Sequence, residues 1–210
     1  MSSESETTIT SDAPPIDTHK FKDLQITKSG LSSLHISSKE KDPDPQSHSE
    51  FYIDVSLYSP SKKDITIHAG SSSKGPILGD VDLKTFSGHY TIELGDPNVE
   101  PVRLEELDRV KGWSSRHQFE FERGGRKRDV FLWRHRGRDL SENRDDLELV
   151  LEDEEREEED EVLVVYEAKG GDRGWKGKGR LLVKEGGGEK WELMVLLTVM
   201  ALIVSKRREQ

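Results

Sequence analysis

Arginines and lysines are bunched in this chain rather than spread, which raises phosphate binding as the first chemistry to consider. Arg123, Arg126, Lys127 and Arg128 surround the Gly124-Gly125 pair, and Arg134, His135, Arg136 and Arg138 follow shortly after. Exposed together, such cations attract lipid headgroups or a nucleic-acid backbone by charge. The competing account is that arginines on the solvent face of a hairpin solubilise it, some of them pairing with acids. No stacking aromatics are interleaved in an RNA-binding motif, so nucleic acid is not an expected partner. A second basic group, Lys169 to Arg180 (KGGDRGWKGKGR), is glycine-rich. A phosphate loop needs Gly-x4-Gly-Lys-Ser/Thr before a helix. Here Gly179 follows Gly177-Lys178, and Asp172 stands five residues before Gly177. The phosphate-loop reading fails, and a hairpin loop is expected instead. Within it, Trp175 flanked by Arg173, Lys176 and Lys178 suits an interfacial membrane contact, because indole favours the headgroup zone.

Catalytic signatures are missing. The seven histidines (His19, His35, His48, His68, His89, His117, His135) show no HExxH or other metal-ligand spacing. His68 and His89 fall on or beside expected strands and are read as satisfied or exposed strand histidines. There is no cysteine, hence no disulfide, thiolate metal site or thiol nucleophile. No Gly-x-Ser-x-Gly elbow occurs either. The expectation is a non-enzymatic protein with no cofactor and no metal.

What positions these groups is set by an apolar helix at the end of the chain and by short strands before it. Leu193 to Val204 (LMVLLTVMALIV) is apolar at every position but Thr198. A helix apolar all round must be enclosed by protein or by lipid. Counted from Trp191, the run to Val204 is fourteen residues, roughly 21 Å of helix. A bilayer core is about 30 Å thick and takes about 20 apolar residues. The run is too short to span without thinning or snorkelling, so a helix buried in protein is expected and a tail anchor is the alternative. Gly186 to Gly188 form its entry, Glu189 and Glu192 lie in the first turn, and Lys206, Arg207 and Arg208 close it. Those charges complement the helix dipole at both ends.

Upstream, the pattern alternates with period two. In Phe51 to Tyr58, Phe51, Ile53, Val55 and Leu57 share one face. Further strands are expected at Leu24 to Thr27, Leu31 to Ser37, Ile65 to Ile67, Ile77 to Leu83 and His89 to Leu94. His117 to Glu122 and Asp129 to Arg136 form the clearest hairpin, followed by Leu147 to Leu151, Val162 to Ala168 and Gly179 to Lys184. Roughly ten to twelve short strands in series are the signature of an all-β sandwich or barrel. A closed barrel removes sheet edges but needs a filled interior, and a helix about 10 Å across fits that need.

Charge and composition complete the frame. Glu152 to Glu161 holds nine acids and one arginine, which is −8 of the net charge of −10. Such a block repels itself and forms a solvated loop; it lacks the spacing of an EF-hand. Residues 1–20, rich in Ser, Thr, Asp and Glu, are expected to be a disordered leader with no signal or transit character.

The pairing of a strand series with a terminal apolar helix resembles the tubby C-terminal-like superfamily, which includes LURP-one-related proteins and phospholipid scramblases. The pieces that carry the resemblance are Gly188 to Arg208 and the Phe119-x-Phe121 strand leading through Gly124-Gly125 to Phe131-Leu132-Trp133-Arg134. The resemblance implies an antiparallel β-barrel of residues 21–208 around a helix over 189–206. It also brings phosphoinositide binding into view, although no motif maps position by position, and the palmitoylated cysteines of scramblases are missing. The expected function is a cytoplasmic, non-enzymatic binding or scaffold module, peripheral on anionic phospholipid through Arg126, Lys127 and Arg128 with Trp175. An unknown protein partner is the other expectation.

Overall fold

A computed structural model describes residues 20–39, 50–56, 62–84, 88–99, 101–111, 116–123, 127–136, 146–152, 160–169 and 179–208. Twelve strands and one helix follow in order: β1 (Phe21–Lys28), β2 (Ser33–Ser38), β3 (Glu50–Val55), β4 (Ile65–Ala69), β5 (Ile77–Leu83), β6 (His89–Leu94), β7 (Arg103–Arg109), β8 (His117–Glu122), β9 (Arg128–His135), β10 (Leu147–Glu152), β11 (Val162–Ala168), β12 (Gly179–Lys184) and α1 (Glu189–Arg208). Each strand pairs antiparallel with its neighbours in sequence, and β1 pairs with β12 from Phe21↔Lys184 to Ile26↔Gly179, closing the barrel. The expected mainly-β barrel is therefore present. Alternation of inward apolar and outward polar residues explains the strands: Phe51, Ile53 and Val55 are buried, as are Phe119 and Phe121 between the exposed Gln118, Glu120 and Glu122.

The helix fills the barrel. From Met194 to Ala201 every side chain is fully buried, so no face of α1 is left for solvent. Its contacts reach strands spaced around the whole wall. At its start Lys22 of β1 bonds Glu192 at 2.6 Å. Trp191 packs on Phe119, Phe121 and Phe131 of β8 and β9, with ring centroids 6.2, 6.1 and 4.5 Å away. On the β5 side a methyl built on Gly79 would lie 2.9 Å from Leu197 Cδ1 and 2.6 Å from the Glu93 carbonyl, so glycine is what admits the helix there. At its end Arg208 donates to the Leu83 carbonyl at 2.7 Å and pairs with Asp64, which also accepts the Leu83 amide at 2.7 Å. Gly186 and Gly188 enter the helix at φ 92° and 80°, values that suit glycine.

The one polar residue of the apolar run has a defined task. Thr198 donates back to the Met194 carbonyl at 2.9 Å and accepts the Trp133 indole N–H at 3.1 Å. Removing the hydroxyl leaves a buried indole donor unpaired, which costs about 1–3 kcal/mol. Thr198→Val should lose stability of that order in urea unfolding. The same change in a Trp133→Phe background should cost clearly less.

Two expectations need adjusting. Strand β7 was not among the expected strands, and the helix runs to Arg208 rather than 206. Residues 1–19 of the expected leader, and 153–159 of the acidic run, lie outside the described residues.

Candidate functional site

Because neighbouring strands are antiparallel throughout, the connections alternate between the two ends of the barrel. The helix enters at the end reached by β12 and leaves at the end marked by Asp64 and Leu83. The entry end thus gathers the connections β2–β3, β4–β5, β6–β7, β8–β9 and β10–β11, and the exit end the remaining strand connections.

The basic hairpin lies at the entry end, and its cations are mostly engaged. Arg128 grips Glu105 of β7 with both terminal guanidinium nitrogens, at 3.2 and 2.6 Å, and donates to the Glu120 carbonyl at 2.7 Å. Hydrogen bonding to Glu105 raises the Arg128 pKa above its ordinary value, against an opposing effect of burial. Glu105 is only 3% exposed and is also bonded by Arg103 at 2.5 Å. This cluster sits where the β7–β8 ladder is short, with the pairs Asp108↔Gln118 and Arg109↔His117. A buried carboxylate between two guanidinium groups fastens the wall at that seam. Arg123 lies over the Trp191 ring at 5.9 Å, Arg134 bonds Glu148 at 2.7 Å and Asp160 at 2.6 Å, and Arg136 faces Glu167 at 3.7 Å. Pairing with the acidic run, one of the two accounts of these arginines, is thus seen at Asp160.

Of the four residues expected to form the site, Lys127 is exposed and has no partner among the described residues. Arg128 is the Glu105 partner. Arg126 and Trp175 lie outside the described residues. Their flanking residues fall at opposite ends: Arg123 and Lys127 at the entry end, Lys169 and Gly179 at the exit end. A cavity of about 470 Å³ opens beside the start of α1 between Arg103, Phe121, Glu122, Glu189, Lys190 and Trp191. Its two cations face two carboxylates, which leaves no net attraction for an anion.

At the exit end the balance differs. The described residues of its connections include Lys62, Lys63, Lys84, Lys111, Arg116, Arg136 and Lys169, against the acids Asp64 and Asp146. Asp64 is occupied by Arg208 and the Leu83 amide, and Asp146 accepts the Ala168 amide at 2.8 Å. Lys28, Lys62 and Lys111 are exposed, with no partner among the described residues. Lys169 reaches the Gln25 side chain only at 3.5 Å. Leu31, in the β1–β2 turn of the same end, is 89% exposed. Sequence reasoning missed this group because its members are far apart in the chain; only the alternation of connections brings them to one end.

Two of the strand histidines are held by hydrogen bonds. His68 bonds the Gly75 carbonyl at 3.0 Å near the entry end, whereas His89 pairs with Asp108 near the exit end, so the two do not meet. Among the described residues no group of three or more His, Asp or Glu side chains could hold a metal ion. His117 has an apolar environment. It points into the barrel, 7% exposed, stacked 5.8 Å from Tyr90, and its Nε2 has no hydrogen-bond partner. Burial, reinforced by Arg109 and opposed by Asp108, lowers its pKa from 6.5 to about 4. The unfolded chain takes up this proton near 6.5 and the folded chain only near 4, so acid favours unfolding between those values. About 3 kcal/mol of stability should be lost across that window as pH falls. His117→Phe should flatten the same stretch of the pH–stability curve measured by urea unfolding.

No family model, no curated protein and no solved structure matches this chain. Among the described residues, no helix is long and apolar enough to cross a membrane.

Proposed function

We propose that the chain is a non-enzymatic binding or scaffold module of the tubby-like kind, attached peripherally to anionic phospholipid. The observation that carries this reading is where the barrel keeps its own helix. With α1 buried in the interior, partners are met on the outer surface and the rims, where exposed lysines supply charge. Each cation near an anionic membrane contributes about 1 kcal/mol. Lys127 is a single exposed cation at the hairpin turn; Arg128, engaged by Glu105, is a structural residue first. The contact therefore needs cations beyond the hairpin. Sedimentation with phosphatidylcholine vesicles, with and without phosphoinositide, tests the reading. Pelleting only with the anionic lipid supports it, and equal pelleting in both, or none in either, contradicts it.

A further inference from the structure

The two ends of the barrel differ in charge. Among the described residues, the exit-end connections carry Lys62, Lys63, Lys84, Lys111, Arg116, Arg136 and Lys169 against Asp64 and Asp146, whereas the entry-end connections set Lys39, Lys74, Arg123 and Lys127 against Asp96, Asp160, Glu161 and Glu185. Leu31, in the β1–β2 turn of the exit end, is 89% exposed and stands three residues from Lys28, which is exposed with no partner among the described residues. Val99, 80% exposed at the entry end, has no such excess of lysines around it.

We infer that the exit end, where the C-terminus of α1 emerges, is the face that docks on an anionic phospholipid surface, with Lys28, Lys62, Lys111 and Lys169 as the charge and Leu31 as an inserted apolar tip. The inference rests on the lipid reading above and adds the face. Lysines at the headgroup level attract the membrane over about a Debye length, while an apolar tip gains by leaving water for the acyl boundary. Charge alone would serve a nucleic-acid backbone equally well. A fully exposed leucine inside the cationic rim has no use against phosphates, which favours a bilayer. The orientation also holds Asp160 and Glu161, just before β11, away from the like-charged lipid.

The experiment uses the full chain and vesicles of phosphatidylcholine with or without phosphatidylserine. Three variants are compared with wild type: K28E/K62E/K111E/K169E for the exit end, K74E/K127E for the entry end, and Leu31→Asp. All the altered side chains are exposed, and thermal unfolding of each variant confirms an intact fold. The exit-end variant should bind about tenfold or more weakly, Leu31→Asp should weaken binding several-fold, and the entry-end variant should bind as wild type or better. Loss of binding in K74E/K127E with retention in the exit-end variant overturns the assigned face while leaving the lipid reading intact. Failure of the wild type to bind either vesicle overturns both. Wild-type binding to duplex DNA in place of vesicles replaces the lipid partner and sinks the proposal.

Discussion

Truncation of residues 193–210 is expected to abolish cooperative unfolding altogether. The deleted stretch contains Met194, Leu196, Leu197, Met200 and Val204, all fully buried. Burial of one such side chain stabilises by about 1.5–3 kcal/mol, so a handful already matches the total stability of about 5–15 kcal/mol that domains possess. The loss is doubled on the other side of the interface. Leu24, Ile36, Ile53, Ile67, Val81 and Ile92 line the wall and would face a water-filled bore. Trp133 would lose the partner of its indole N–H, and the Arg208 clip to Leu83 would go with the helix. Far-UV circular dichroism on heating should therefore show no sigmoidal transition. A folded, more soluble fragment would instead make residues 193–204 a membrane tail and remove the basis of the enclosed-helix account.

The second large effect is expected at Trp191. Truncation to alanine should destabilise by about 3–5 kcal/mol, the range for large aromatic side chains in cores. Trp191 is 2% exposed and is the plug against which Phe119, Phe121 and Phe131 close the entry end. Its place is fixed from the other side by Gly187, where a methyl group would fall 1.9 Å from the indole. No backbone relaxation fills a cavity of that size cheaply in a closed wall, and Arg123 would lose the ring over which it rests. Urea unfolding measures the change directly, and a loss under 1 kcal/mol would show that the entry end packs without it. Trp191→Phe should recover a large part of the stability.

The strands that alternate cleanly were legible in the residues, and β7 shows where that legibility stops. Arg103–Arg109 carries charge on both faces: Glu105 is buried while Leu104, 62% exposed, points outward. Of its two buried positions, Leu107 joins the core while Glu105 is satisfied by guanidinium groups, through Arg103 on the same strand and Arg128 from β9. Its two leucines fall on opposite faces, so a pattern search for apolar alternation finds none. The helix was readable because an apolar run without a polar stripe permits only an enclosed position, and its length favoured protein over lipid. The basic hairpin was readable as a cluster but not in its pairing, since Glu105 stands 23 residues from Arg128. The exit-end rim was hidden for the opposite reason. Its lysines come one or two to a connection, and they gather at one end only when twelve strands alternate in direction.

The enclosure of α1 is tested most directly by thiol accessibility, for which the cysteine-free chain is well suited. Ala201→Cys, at a fully buried helix position, is compared with Ser32→Cys at an exposed turn, using maleimide labelling of the full chain in water and in denaturant. The barrel-enclosed helix predicts that Ser32→Cys labels at once and Ala201→Cys only as the chain unfolds in urea. Rapid labelling of folded Ala201→Cys in water would contradict it.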